Sequence, residues 1–373
     1  EGASFENEKG YALSMDGASV KGHVFLNNKF TAKGEVGLSG ATIEGQLNCE
    51  NAAFENKNEK RFALNMENIS VKGDVFLSNN FTAKGAVRLP GATIGGQLNC
   101  EGASFENEQG HALNIERATA RDSFFMKFKK KPVGSINLSY SKAGVLVLGD
   151  KENWPDQGKL FIDGFEYDTI LLNGQIKPQT IMAWIGLQTN RSKADTGFQP
   201  QPYEQAAKVL RAMGHESDAK SVLIEKQEAL RKFGGLSWKA RLWSFILYYT
   251  VRHGWEPWRV LLLMALFLPI GCYVFTHAQM EGSMVHAKEE VNTAKTVNKT
   301  GNLPSEYPLL CPLIYSIDAF VPFLDLHQEE YWLPFPKSRW GKIARYYLWF
   351  HIAIGWFLST IAALSFTGII KKE

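Results

Sequence analysis

Cysteine is scarce in this chain, and the four cysteines are not arranged for cross-linking or metal binding. The sequence contains no CxxC pair and no Cys/His ligand spacing, which excludes a zinc finger and a disulfide framework. Cys49 and Cys100 hold equivalent places in a repeat, 51 residues apart, so we interpret them as small core residues in a reducing compartment. We therefore predict no metal and no cofactor.

Sequence motifs for catalysis are also missing. There is no phosphate-binding glycine motif, nucleophile elbow, HExxH or dinucleotide fingerprint, and the glycines instead punctuate turns. The net charge of +3 is too small to indicate a nucleic-acid partner. These absences predict a protein that is not an enzyme, has no catalytic residues and does not bind nucleic acid.

Two long apolar runs near the end of the chain contain no Asp, Glu, Lys or Arg. They cover residues 260–276 and 346–370. About 20 residues cross a hydrocarbon core, so we predict transmembrane helices at 258–276 and 344–370. Two long buried helices in a soluble protein are the alternative. Tryptophans flank the runs, and aromatic rings favour the membrane interface. The predicted interface anchors are Trp238, Trp243, Trp255, Trp258, Trp340 and Trp349.

Basic residues precede the first apolar run, within residues 231–259. An excess of Lys and Arg marks the cytoplasmic side of a span, so the N-terminal domain is predicted to be cytoplasmic. Within this stretch, residues 237–252 have one apolar face with cations beside it, the pattern of an amphipathic helix lying in the membrane interface. The cations before the first run are Arg231, Lys232, Lys239, Arg241, Arg252 and Arg259.

The first third of the chain is repetitive. Residues 40–49 return almost unchanged as residues 91–100, a period of 51, and a shorter unit of 11 or 12 residues recurs inside it. Apolar and small residues alternate there with glycine turns, which predicts short strands wound into a parallel β-helix with two turns per period. Residues 1–7 match residues 101–107, so we expect a fragment whose earlier repeats precede it.

The motifs Gly-Ala-Ser-Phe and Gly-Ala-Thr-Ile resemble those of pentapeptide-repeat and related right-handed β-helical proteins, over about residues 1–120. The mixed architecture predicted has three parts. A β-helix occupies residues 1–175, a helical linker with a hairpin occupies residues 176–236, and a helical membrane domain occupies residues 237–373. The resemblance implies that the parallel β-helix is right-handed and that the protein is bacterial, and we expect the membrane domain to lie in the inner membrane.

Between the two predicted spans, residues 277–308 are polar and predict an extracytoplasmic loop. Residues 309–326 are apolar but short, and two prolines and Asp318 interrupt them. We favour a short re-entrant helix here over a third span, although the cations at Lys337, Arg339, Lys342 and Arg345 would suit a spanning segment. Residues 237–373 thus resemble two-span pore-loop ion channels in layout, without the TVGYG-type filter of potassium channels.

Carboxylates after the short helix are the predicted ion pathway, because a ring of carboxylates in an oligomer favours cations. Asp318 is costly among apolar residues; it lines a cavity, or else it caps a helix or pairs with Arg345. The alternative for the other pathway residues is a solvated loop. We expect His351 to bond a neighbouring helix. The pathway candidates are Asp318, Asp325, His327, Glu329 and Glu330, and the pore-helix candidates are Tyr315 and Ser316.

The sequence thus predicts an oligomeric, cation-conducting membrane channel with a cytoplasmic β-helix that senses a signal or holds the pore closed. A membrane-permeabilising effector is one form of that function. Expected partners are membrane lipid, further copies of the chain, and a protein or small molecule on the β-helix. The alternative is a membrane-tethered β-helical scaffold that binds a protein partner without conducting ions.

Overall fold

A computed structural model describes residues 2–56, 62–172, 177–188, 198–287 and 308–370. The chain divides into two compact units, Glu1–Leu236 and Ser237–Glu373. The first is a parallel β-helix followed by helices, and the second is helical.

In the part of the chain that the structure describes, twenty strands build the β-helix, which makes about seven turns. They are β1 (Ser4–Ser14), β2 (Ser19–Val20), β3 (Val24–Phe25), β4 (Thr31–Gly37), β5 (Thr42–Ile43), β6 (Leu47–Asn48), β7 (Ala53–Glu55), β8 (Leu64–Asn65), β9 (Ser70–Val71), β10 (Val75–Phe76), β11 (Thr82–Lys84), β12 (Val87–Arg88), β13 (Thr93–Ile94), β14 (Leu98–Asn99), β15 (Ser104–Asn114), β16 (Thr119–Met126), β17 (Val133–Asn137), β18 (Lys142–Leu148), β19 (Leu160–Phe161) and β20 (Glu166–Leu172).

Strand pairing explains both repeat lengths. Val36 lies beside Leu64 and Leu64 beside Val87, so successive turns take 28 and 23 residues and together make the 51-residue period. Val75 lies in the opposite sheet, 11 residues after Leu64 and 12 before Val87, so the shorter unit is half a turn. The predicted parallel β-helix with two turns per period is confirmed, and parallel pairing continues to Leu172, beyond the recognisable repeat.

Stacked side chains fill the interior. A ladder of phenylalanines runs through successive turns, with ring centroids 5.4–5.7 Å apart. Cys49 and Cys100 lie in the core, as predicted, and burial raises the pKa of both thiols above the ordinary value. Asparagines such as Asn51 take left-handed backbone conformations at the corners, which asparagine tolerates better than most residues. The ladder consists of Phe30, Phe54, Phe81, Phe105 and Phe128.

Among the described residues of the first unit, three α-helices follow β20: α1 (Pro178–Ile185), α2 (Gln201–Ala212) and α3 (Glu216–Phe233). α2 and α3 pack against each other, and the Gln205 amide donates a 2.6 Å hydrogen bond to the Tyr167 carbonyl of β20. This bond attaches α2 to the last turn of the β-helix.

The second unit contains α4 (Trp238–Val251), α5 (Trp258–Met280), α6 (Pro312–Phe320) and α7 (Arg339–Phe366). A two-stranded antiparallel sheet joins β21 (Met284–His286) and β22 (Trp332–Pro334). The extracytoplasmic loop predicted at 277–308 begins within α5, and its residues 288–307 lie outside the described residues.

α5 and α7 are long and apolar enough to cross a membrane. Only 22% and 39% of their most apolar stretches are buried, whereas the core helix of a soluble protein would be largely covered. α5 ends later than the span predicted at 258–276, because residues 277–280 also carry no Asp, Glu, Lys or Arg. α7 both begins and ends earlier than the span predicted at 344–370. It begins in the basic stretch before its charge-free run, where the Ser338 side chain caps it by accepting from the Gly341 amide at 3.0 Å.

Candidate functional site

α6 is seated between the two long apolar helices by a small set of polar contacts. The Ser316 hydroxyl donates to the Leu268 carbonyl of α5 at 3.1 Å. On the other side, Nε2 of His351 on α7 lies 3.0 Å from the Ser316 carbonyl oxygen. A carbonyl can only accept, so Nε2 carries the proton and donates. The expected bond from His351 to a neighbouring helix is therefore confirmed.

Two glycines allow α6 to approach so closely. A Cβ at Gly271 of α5 would clash with the Ser316 hydroxyl, and a Cβ at Gly355 of α7 would clash with the Phe320 carbonyl oxygen at the end of α6. Both glycines face α6 from within apolar helices. The close packing of α6 between α5 and α7 therefore depends on the absence of side chains at these two positions.

Asp318, near the end of α6, organises the chain that follows. Its Oδ1 accepts from the Leu326 amide at 2.7 Å, and its Oδ2 accepts from the amides of Gln328 and Glu329 at 2.8 and 2.9 Å. The residue is only 8% exposed. The carboxylate therefore caps the backbone of the following loop, which is closer to the capping alternative than to an ion pair with Arg345.

After α6, the chain folds back to the N-terminal end of this helix. The Cys311 amide donates to the Gln328 side-chain oxygen at 3.1 Å, and the Trp332 indole donates to the Pro308 carbonyl at 3.0 Å. Residues 321–331 are thus held as a loop folded back along α6.

Four of the five predicted pathway residues line one cavity of about 430 Å³: Asp318, Asp325, Glu329 and Glu330. Ile352 and Trp356 of α7 form its apolar wall. Burial, and then the neighbouring carboxylate of Asp318, raise the pKa of Glu329 above its ordinary value. The cavity therefore combines a concentration of acidic groups with an apolar helix face.

His327 is not among the residues that line this cavity. Its ring Nδ1 lies 2.9 Å from Asp325 Oδ1, and both side chains are well exposed. The two pore-helix candidates also lie outside the cavity, because Ser316 and Tyr315 are buried in the packing of α6. Tyr315 packs edge-on against Phe275 of α5 at 4.7 Å.

The predicted interface anchors differ in exposure. Trp238, Trp243, Trp258 and Trp349 are all at least 45% exposed. Trp255 and Trp340 are half-buried, and the ring of Trp340 stacks on His277 at 4.5 Å.

The sequence did not predict three features of this site: the hydrogen bond between the Cys311 amide and Gln328, the role of Ser316 as partner of His351, and the two glycines that contact α6. The available signal was glycine inside an apolar helix, which often marks close helix packing. Across the parts of the chain that the structure describes, no group of three or more His, Cys, Asp or Glu side chains could hold a metal ion.

Comparison with protein-family models, curated proteins and solved structures found no significant match to this chain. Its function therefore has to be inferred from its own residues, and the structure supports a parallel β-helix joined in sequence to a unit with two helices able to cross a membrane.

Proposed function

We propose that the protein is an oligomeric cation channel of the bacterial inner membrane, with α6 as its re-entrant pore helix and the β-helix as a cytoplasmic sensing or regulatory domain. The observation that carries this proposal is the cavity in which four carboxylates converge beside a short helix packed between two apolar ones. Several copies are needed, since two spans cannot enclose a conduit.

The length of α6 supports a re-entrant segment over a third span. Its nine residues extend about 13 Å, whereas a hydrocarbon core is about 30 Å thick. Irregular backbone at membrane depth is tolerated where it is buried in protein or lines a polar cavity. The loop after α6 lines the carboxylate cavity with Asp325, Glu329 and Glu330, and Asp318 accepts hydrogen bonds from three of its backbone amides, which supports this proposal.

We propose the orientation of α5 in the membrane from the basic residues near its start. Arg252 and Arg259 flank the start of α5 and both pair with Glu256 between them, while Lys239 and Arg241 lie on α4. This basic end favours the cytoplasmic side. A membrane-permeabilising effector would use the same layout.

The tethered scaffold is the second candidate function, and the regular outer face of the β-helix favours it, because stacked repeats present extended binding surfaces. Ion flux through purified protein in liposomes separates the two. A parent protein that conducts no ion under any condition tried, including removal of residues 1–200, would favour the scaffold.

Neutralising Asp325 is expected to change ion selectivity. Asp325 lines the cavity and is exposed, so Asp325→Asn removes a charge from each subunit with little structural cost. A unit charge about 4 Å from a permeating ion changes the energy of that ion by about 1 kcal/mol in water. Its loss should therefore lower the cation-to-anion permeability ratio about fivefold. Reversal potentials in planar bilayers measure this ratio. Asp168→Asn, at an exposed carboxylate on the β-helix, is the control. An unchanged ratio in Asp325→Asn would remove Asp325 from the ion path.

Acidification is expected to reduce cation conduction at a higher pH than an ordinary carboxylate would require. The pKa of Glu329 is raised, so this group becomes neutral at a higher pH than an ordinary glutamate, and the negative charge of the cavity that it lines then decreases. Glu329→Gln should remove this step from a conductance-against-pH curve. The same curve in parent and variant would contradict the assignment.

A further inference from the structure

The start of α7 carries four cations that form no ion pair with a described residue. Lys337 precedes the helix, and Arg339, Lys342 and Arg345 lie in its first two turns. Within the described part of the second unit, the ion pairs all lie on other residues. Cations beside an apolar span attract the anionic groups of a membrane surface.

The carboxylate of Glu281, at the end of α5, caps α7 and does not pair with these cations. Its Oε2 accepts from the Trp340 amide at 3.0 Å and from the Ser338 hydroxyl. Ser338 in turn accepts from the Gly341 amide. Because these amides of the first turn are occupied, an anion bound at this end of α7 would be held by side chains.

Three of the cations share one face of α7 with three aromatic residues. Spacings of three and four residues bring Lys342 beside Tyr346, and Arg345 beside Trp349. All six side chains are exposed except that of Arg345, which is half-buried. We call this surface the cationic–aromatic face, and it consists of Arg339, Lys342, Arg345, Tyr346, Trp349 and Phe350.

The order of these residues along α7 matches the layers of a phospholipid. The cations come first and the aromatic rings follow, deeper in the apolar run. Lys342 and Phe350 are about 12 Å apart along the helix, which is less than half of a hydrocarbon core about 30 Å thick. The face therefore fits within one leaflet, with its cations at the headgroups and its rings at the start of the acyl chains.

Arg345 is held in an orientation that suits a phosphate. Its guanidinium lies over the Trp349 ring, 5.5 Å from the centroid, and Trp349 packs edge-on against Tyr346 at 5.6 Å. Stacking fixes the plane of the guanidinium and leaves its N–H groups at the edges, where they can donate. A guanidinium fork matches two oxygens of a phosphate.

We propose that the cationic–aromatic face binds one anionic phospholipid. Arg345 and Lys342 donate to its phosphate oxygens, and Arg339 adds positive charge beside them. The three rings contact the glycerol region and the first part of the acyl chains. Charge complementarity favours this occupant over a second copy of the chain, because a two-fold symmetric contact would bring like charges together.

The lipid would also account for the position of these cations. In the proposed topology the start of α7 faces away from the cytoplasm, whereas Lys and Arg favour the cytoplasmic side of a span. Phosphate oxygens of the outer leaflet would neutralise the cations there. The inference rests on α7 lying in a membrane, as in the proposed function, and not on ion conduction.

Native mass spectrometry of the full-length protein in detergent tests this binding. The probes are phosphatidylglycerol and phosphatidylcholine with identical acyl chains, which share the phosphate and differ in net charge. Phosphatidylglycerol should bind at least about tenfold more tightly. Because no flux is measured, loss of this preference and loss of conduction are separate results. A protein that fails to enter phosphatidylcholine liposomes would instead contradict the membrane placement of α7, and with it both proposals.

Variants at the start of α7 locate the site. Arg345→Gln should lower the preference for phosphatidylglycerol about fivefold, and Lys342→Gln, at an exposed position, should lower it by a similar factor. Arg345→Lys should keep part of the preference, because the charge stays and the fork is lost. Lys337→Gln is the matched control, since it removes the same charge just before the helix, and it should change the preference less than about twofold.

Three outcomes would overturn the proposal. The parent protein binds both lipids equally, or Arg345→Gln and Lys342→Gln keep the parent preference. In the third outcome, Lys337→Gln loses as much preference as Arg345→Gln, which would show attraction to general positive charge and not a site on this face.

Discussion

Replacing Asp318 by alanine is expected to abolish ion conduction and to destabilise the second unit. The change removes the acceptor of three backbone amides, those of Leu326, Gln328 and Glu329, at a nearly buried site. Each buried donor left without a partner costs about 1–3 kcal/mol, and water will reach part of the loop, so we expect a loss of about 3–6 kcal/mol. The loop should then no longer hold its carboxylates at the cavity.

Thermal unfolding in detergent and hydrogen exchange at residues 321–330 measure this effect. The control is Asp325→Ala, which removes an exposed carboxylate whose backbone partner is the His327 amide. It should leave exchange in the rest of the loop almost unchanged. Equal protection of the loop in Asp318→Ala and parent protein would show that the cap does not hold it.

This role of Asp318 changes how the channel and scaffold hypotheses are separated. If both carboxylates only lined an ion path, neutralising either Asp318 or Asp325 would discriminate, since a scaffold should be indifferent to both. With three amides bound to its carboxylate, Asp318→Asn would disturb the loop under either hypothesis. Loss of flux in Asp318→Asn is therefore ambiguous, and the selectivity of Asp325→Asn is the discriminating measurement.

The β-helix and the apolar helices could be predicted from the sequence because their signals are local or periodic. The 51-residue repeat reflects the sum of two turns, and the charge-free runs mark α5 and α7. The solenoid beyond about residue 120 was harder to read, since its strands pair without repeating the earlier motifs.

The candidate site could be predicted only in part. The carboxylates follow one another closely in the chain, so their convergence on one cavity follows from the short loop that carries them. His351 and Ser316 are 35 residues apart, and Gly355 meets the end of α6 across the same interval. Such pairings depend on how α6 docks between two helices, which has no periodic signature in a single sequence.

Gly355→Ala is expected to destabilise the second unit by about 3 kcal/mol. The sign of the change in stability shows whether α6 packs closely against this position of α7. Alanine is a better helix former than glycine by about 1 kcal/mol, so at an open position the substitution would stabilise α7. At Gly355 the new methyl group would clash with the Phe320 carbonyl, which is backbone and cannot rotate away. α6 would have to shift as a unit.

Thermal unfolding and ion flux should be measured for Gly355→Ala and for a control, Ala353→Val. The control adds volume on an exposed face of the same helix and should have little effect on stability or flux. Gly271→Ala should cost less, because the first atom it meets belongs to the Ser316 side chain, which can rotate once its bond to Leu268 is broken. If Gly355→Ala instead raises stability, the end of α6 does not pack closely against Gly355 of α7. The cavity would then lose its apolar wall, and with it the strongest structural support for a pore.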